Sequence, residues 1–409
     1  MSKQIKLILI VYLALNSTIA CSQSRYNIIY EPQLGQTFAA ENVNAGFHLF
    51  DYVDSLVIPK KIIKKDNNYA KVINPIYRFG KLFLTNYLLT DFVMTMNHER
   101  FGHGYRILES EGGINEIVYN PPPPFSNEFS FLSQIYPTNY TIQQELMFRL
   151  GGSETNLVLT DITRKNILLD EKFSYNFSLT YLYGSNDMPG YTAFVTAPAG
   201  DPNQYRNTLN YFYGEENLTR KKMRTYSFFN MLTDPLNFYA IKSVFYDYII
   251  KGRGAADIKM IKLSERLKYL PRFRFEYTPY GPELVYQNYF KFDSKLIQLN
   301  FSHADGSFEP SWRIYTKIWN IKTFENLSFS LSGQIWKQPL IDFFKGDRLQ
   351  QSQGLGSEII VTTNYDVITN EHMLGFTMQV GYKSSGYSLG EQLDKGLVAR
   401  GGLTFKLGN

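Results

Sequence analysis

The 409-residue chain contains one cysteine, three tryptophans and five histidines, and only 19% of its residues are charged. One cysteine leaves no pair for a disulfide and no thiolate cluster, so any metal must sit on histidines and carboxylates. Beyond the N-terminal segment no run of about twenty uninterrupted apolar residues occurs, which excludes a second helical membrane span. The excess of 42 Lys and Arg over 37 Asp and Glu is small for the length, with Lys60, Lys61, Lys64 and Lys65 as a basic block. Nucleic acid is therefore not an expected partner. Nor is there a phosphate-binding loop, a dinucleotide fingerprint or a calcium loop.

Aromatic residues are plentiful: 31 Tyr and 31 Phe against few charges is a balance that suits strands girdled by rings, as in an outer-membrane barrel. The N-terminus reads as an export signal, with Lys3 and Lys6 ahead of the apolar run Leu7 to Leu15 and the stretch Asn16 to Cys21. Cys21 after Ala20 is placed for lipidation, but Thr18 stands where an aliphatic residue is usual, and Thr18-x-Ala20 equally suits ordinary signal peptidase.

From about Pro271 onward, apolar and polar residues alternate between turns, the period of strands. Phe273, Phe275 and Tyr277 alternate with Arg272, Arg274 and Glu276, and Leu374, Phe376, Met378, Val380 and Tyr382 recur at every second position. Eight strands are readable, near 271–277, 284–292, 295–303, 310–319, 327–335, 356–365, 372–384 and 396–407. A soluble sandwich would alternate too, but the wet face carries Arg272, Arg274, Glu276, Arg400 and Lys406, which a small soluble core could not bury unpaired. The region before it carries helical spacing at about 76–110, 139–169 and 205–250, while Phe173 to Tyr181 alternates like a strand among helical neighbours and fits either element. The expected organisation is α+β: a signal peptide at 1–21, a mainly helical domain at 22–260 and an antiparallel outer-membrane-type β-barrel of about eight or more strands at 261–409.

The chemistry concentrates in Asn97-His98-Glu99-Arg100-Phe101-Gly102-His103-Gly104. Two imidazoles converging on one ion, with a carboxylate beside one of them to take a proton from bound water, are what a zinc peptidase requires. In His-Glu-x-x-His the histidines share a helix face. Here they are five apart, which turns them about 140° from each other on a regular helix. A π-bulge absorbs one extra residue, and Gly102 lies where the helix would have to yield.

His98-Glu99-Arg100-Phe101-Gly102-His103 resembles the His-Glu-x-x-Gly-His motif of the dipeptidyl peptidase III family of zinc peptidases. The resemblance covers the motif and about sixty residues, without that family's paired acidic motif or its two-domain body. It implies Zn²⁺ on His98 and His103, Glu99 as the base, and a third ligand from a later helix. Glu154, in Gly151-Gly152-Ser153-Glu154-Thr155-Asn156 and 51 residues beyond His103, takes that place. Tyr105 is a candidate oxyanion donor. Asp91 and Asp161 are candidates to orient the imidazoles, and His48 reads as a packed histidine. The resulting expectation is a protein of the cell outer membrane, partnered by lipid and by other outer-membrane proteins, with a zinc metallopeptidase-like site for a peptide substrate. The alternatives are a non-catalytic assembly or surface-binding component with a structural metal, and a small-solute pore.

Overall fold

The computed structural model describes residues 24–408 apart from 65–66, 195–197, 199 and 370–371. The expected signal segment and Cys21 lie outside the described residues. The chain is a mixture of helices and an antiparallel sheet, the helices mostly preceding the strands. Ten strands form one sheet: β1 (Tyr26–Tyr30), β2 (Ile261–Lys262), β3 (Leu267–Thr278), β4 (Gly281–Phe292), β5 (Lys295–Ala304), β6 (Trp312–Phe324), β7 (Leu327–Lys337), β8 (Leu355–Thr369), β9 (Met373–Lys383) and β10 (Gly396–Lys406). Their spatial order is β1-β10-β9-β8-β7-β6-β5-β4-β3-β2. The eight expected strands are β3 to β10.

The expected closed barrel is corrected here, because β1 and β2 do not pair and the sheet stays open. A side chain takes the place of a neighbouring strand at one edge. In the helix α1 (Gln36–Val57), Asn42 accepts from the Ile29 N–H at 3.1 Å and donates to the Ile29 carbonyl at 3.0 Å. The N–H and carbonyl of Ile29 at this edge are thereby satisfied without another strand.

The sheet is polar inside and apolar outside. Along β9, Leu374, Phe376, Met378, Val380 and Tyr382 are exposed while Thr377, Gln379 and Lys383 are buried, a direct result of the two-residue period. The buried charges are neutralised by helices lying against the inner face. Chief among these is α5 (Ile142–Asp170), opened by a capping box between Thr141 and Gln144. Its Asp161 meets Arg274 at 3.2 Å, and its Arg164 meets Asp234, which also pairs with Arg272 at 3.1 Å. Lys291 donates to the carbonyls of Leu168 and Leu169, the unpaired acceptors at the C-terminal end of α5. The apolar core joins this end of α5 to Leu270, Tyr289, Leu296 and Trp319 of the sheet. His48 stacks on Tyr26 with ring centroids 3.7 Å apart, the packed histidine expected from the sequence.

Residues 68–109 form a continuous helical rod: α2 (Asn68–Lys81), a π segment (Leu82–Tyr87), α3 (Leu88–Met96), a second π segment (Asn97–His103) and α4 (Gly104–Glu109). Beyond α5 come α6 (Tyr175–Ser185), α7 (Asp187–Phe194), α8 (Asp201–Tyr213), α9 (Arg220–Thr233) and α10 (Pro235–Lys242). The ambiguous segment at 173–181 is helical from Tyr175, because the Ser174 hydroxyl accepts from the Phe177 N–H and caps α6.

Candidate metal centre

The extra residue between the histidines is absorbed as the spacing requires, by a π segment spanning Asn97–His103. The two Nε2 atoms lie 3.1 Å apart. The glycines on both sides make the crossing of this segment with α5 possible. A Cβ on Gly102 would overlap Gly152 Cα and the Gly151 carbonyl, and one on Gly152 would overlap the His98 ring. Backbone therefore meets backbone at Gly102, and the His98 imidazole lies flat on Gly152.

A third ligand atom joins them. Asp201 Oδ2 stands 3.2 Å from His103 Nε2 and 3.6 Å from His98 Nε2, and these three residues could hold a metal ion. Ligands at about 2.0–2.1 Å in a tetrahedron lie about 3.3 Å from one another, so the observed triangle has the size of a tetrahedral face. Asp201 is the first residue of α8 and precedes Pro202, where a carboxylate faces the positive end of the helix.

The other ring nitrogens are occupied. His98 Nδ1 bonds Asp187 Oδ2 at 2.9 Å and His103 Nδ1 bonds the Phe148 carbonyl at 2.6 Å, which turns both Nε2 atoms inward. Asp187 is itself fixed by Asn156 Nδ2 at 3.0 Å, and Asn156 accepts from Asn97 at 2.9 Å. The Gly-Gly-Ser-Glu-Thr-Asn stretch of α5 thus supplies close packing through its glycines and orientation through Asn156.

Burial would push both imidazoles down, but the Asp187 carboxylate beside His98 and the Asp201 carboxylate beside His103, with Glu99 nearby, hold them above the usual histidine range. The same contacts outweigh burial at Asp187 and Asp201 and hold both carboxyls below theirs. Three carboxylates around two imidazoles call for compensating positive charge, which protons or a divalent cation would provide.

Glu154 is not brought to this centre. Its carboxylate is taken by Arg106, at 2.5 Å from Nη2 and 3.0 Å from Nε, and by Gln36 and the Gly390 N–H. The reason is geometric: Gly152 faces His98, and two residues further along α5 the side chain has turned away. Glu99 is buried beside the pair and has no hydrogen-bond partner among the described residues. Tyr105 is buried elsewhere, among Glu109, Arg106, Glu391 and Glu31. Tyr191 of α7 is the tyrosine near the centre, its hydroxyl bonded to the Asp201 backbone and raised by burial and by the Asp201 charge. Asp91 accepts from Tyr119 and Tyr183 and Asp161 pairs with Arg274, so neither orients an imidazole; Asp187 does.

Asp201 and Asp187 escaped the sequence reading. Asp201 carried a helix-start signal in Asp201-Pro202, but nothing local tied it to a histidine 98 residues earlier. Comparison with protein-family models, with curated proteins and with solved structures gives no match to this chain.

Proposed function

We propose that this chain is an outer-membrane metalloprotein whose centre at His98, His103 and Asp201 binds Zn²⁺ and hydrolyses a peptide or amide bond. The triangle of ligand atoms, with both Nδ1 atoms tied from behind, carries the metal part of this reading. Two imidazoles and one carboxylate are a ligand set of catalytic zinc sites, where a fourth position stays open. A zinc ion so held lowers the pKa of its bound water towards 7 and polarises a carbonyl.

Glu99 is the proton acceptor in this reading. It stands next to His98 in the chain, and its carboxylate is not engaged by a cation among the described residues. Asp187 and the Phe148 carbonyl hold the imidazoles in the tautomer that presents Nε2. Tyr191 replaces Tyr105 as the candidate oxyanion donor, since its hydroxyl lies beside Asp201. The motif resemblance to dipeptidyl peptidase III supports the roles of His98, His103 and Glu99 alone.

The membrane part rests on the sheet, whose outward residues on β8 and β9 include Ile359, Val361, Leu374, Phe376, Met378 and Val380, all exposed. A face of that size costs free energy in water and is favourable against lipid. Because the sheet keeps two open edges, the proposal is contact of this apolar face with lipid and not a crossing by the sheet alone. No described helix is long and apolar enough to cross a membrane.

Elemental analysis of detergent-extracted protein is the test of the metal. About one zinc per chain, lost in His103→Ala and retained in Glu99→Gln, supports the centre; a metal-free wild type after growth with zinc would overturn it. Retained zinc with no cleavage of any peptide in a broad library would leave a structural metal in place of the enzyme.

A further inference from the structure

A helical asparagine stands beside each open edge of the sheet. At β1, Asn42 of α1 answers the N–H and carbonyl of Ile29. At the other end β2 pairs only with Lys268 and Tyr269, and beyond them the edge of β3 meets α9. There Asn230 accepts from the Phe275 N–H at 2.6 Å and donates to the Phe275 carbonyl at 2.9 Å, and the Thr233 hydroxyl donates to the Phe273 carbonyl. At both edges a side chain thus makes the bonds a neighbouring strand would make.

The helices at the two edges are joined to each other. Lys81 of α2 pairs with Asp54 of α1 at 2.6 Å. Arg78 of α2 donates to the carbonyls of Ile249 and Ile250 at 2.8 and 3.0 Å, at the end of a third π segment (Ser243–Ile250) that continues α10. Only Asp234 separates α9 from α10. From β1 through α1, α2, α10 and α9 to β3, protein therefore bridges the gap between the edges of the sheet.

Each of these helices exposes an apolar stripe at helical spacing. In α1 it is Leu49, Val53 and Leu56, and in α2 it is Val72, Ile76 and Phe79. The stripe of α10 runs over Phe238 and Ile241 to Phe245, and α9 adds Phe228 and Leu232. No carboxylate interrupts them: Glu41, Asp54 and Asp247 are buried, and Asp51 accepts from Asn176 at 2.7 Å. Every exposed charge on these elements is positive, from Lys71, Lys221, Arg224 and Lys242. Along α9 the exposed positions change from Lys221 and Arg224 to Phe228 and Leu232, the order of a helix that passes from phosphate headgroups towards hydrocarbon. Hydrocarbon tolerates no bare strand edge, and α1 and α9 cover the two edges at Ile29 and Phe275. We infer that α1, α2, α9 and α10 complete the lipid-facing wall that the sheet leaves open, so that one belt of bilayer hydrocarbon lies against sheet and helices together. The inference rests on the lipid contact proposed above for the sheet.

The test is tryptophan fluorescence of the full-length protein in vesicles of phosphatidylethanolamine and phosphatidylglycerol, with and without bromine on the acyl chains. Bromine there quenches a tryptophan that touches the hydrocarbon. Leu56→Trp, Ile76→Trp and Phe245→Trp should each lose, in brominated vesicles, most of the fluorescence they add to the parent protein, as should Phe376→Trp on the sheet. Glu215→Trp, exposed before the basic start of α9, should lose none. If one of the helix variants does not fold, Val53→Trp, Val72→Trp or Ile241→Trp on the same stripe replaces it. Quenching at Phe376→Trp with any of the three helices unquenched would overturn the inference and leave the lipid contact of the sheet standing; a stripe covered by a second copy of the chain or by another protein gives that result. Quenching at neither sheet nor helices would overturn both readings. Quenching on the helices alone, or at Glu215→Trp as well, would overturn the single belt.

Discussion

His98 and His103 are five residues apart, yet their Nε2 atoms come within 3.1 Å, because the helix between them is wound with one extra residue per turn. The pairing depends on that winding, and the winding depends on α5 pressing against Gly102. Gly102→Ala would set a Cβ into the backbone of Gly151 and Gly152, which cannot move aside singly. A loss of about 1–3 kcal/mol in stability is expected, as for other overpacked substitutions, together with loss of bound metal. Gly152→Ala meets the His98 ring instead, so metal loss should exceed the loss of stability. Denaturant unfolding and metal content, measured on the same samples, distinguish the two.

Asp201 and Glu154 are separated by what each carboxylate holds. Asp201→Asn should abolish tight metal binding with little effect on the apo fold. Glu154→Gln should leave the metal in place but take from the fully buried Arg106 its ion pair to α5 while the one to Glu109 at 2.7 Å remains, a loss of about 1.5–3 kcal/mol as for a hydrogen bond to a charged group. Zinc retained in Asp201→Asn and lost in Glu154→Gln would reverse the assignment.

Asp187→Asn removes the charge behind His98 but keeps an acceptor. Partners of this kind typically contribute 10- to 100-fold in metal affinity, and a loss of about that size is expected in competition with a chelating dye. An unchanged affinity would show that the His98 ring is held by packing on Gly152 alone.

The pH dependence of the metal-free protein follows from the shifted groups. His98 and His103 have folded-state pKa values above the unfolded value, so their contribution is full below about pH 6.5 and fades as pH rises through the folded values. Asp187 and Asp201 are depressed, so their contribution is present above about pH 4 and is lost as pH falls. Chelator-treated protein should thus be most resistant to denaturant between about pH 4 and 6.5. Zinc binding displaces protons and should strengthen with pH, so the stability gained from zinc should grow as the apo protein weakens. A flat apo profile between pH 6 and 9 would contradict the charges assigned to this cluster.

On the sheet, Phe376 is 58% exposed on the apolar face. If that face meets lipid, Phe376→Arg at mid-depth should cost about 2–4 kcal/mol in unfolding from vesicles. The wild-type protein should also stay with membranes at high salt. Release by salt, or a neutral effect of the substitution, would remove the membrane reading.

What the sequence disclosed was local. The strands β3 to β10 follow from a two-residue period that needs no neighbour to be seen, and the π segment follows from a five-residue spacing around a glycine. What it concealed depends on distant parts of the chain. At the open edge the backbone of Ile29 is answered by Asn42, which is an ordinary polar helix residue until the fold sets it beside Ile29. Glu154 looked like a ligand because it follows the histidines at a familiar distance; only the close crossing at Gly152 shows which way it points. The alternation in Tyr175 to Tyr181 carried no strand information, because α6 is buried on several sides and a two-residue period is lost there.

The pairing of β1 with β10 sets Tyr26 opposite Phe405 and Tyr30 opposite Gly401, so the first strand finds its partner in the last. Closing a loop of nearly the whole chain is entropically slow, and contacts so distant in sequence are among the latest that folding can make. Until then β1 has only α1 beside it, and both edges of the growing sheet remain open to other chains. Assembly of this protein is therefore timed by its C-terminal strand. A truncation at β10 should lose the seating of α1 and the Tyr26–His48 stack along with the strand itself, and should aggregate where a truncation of an exposed loop would not.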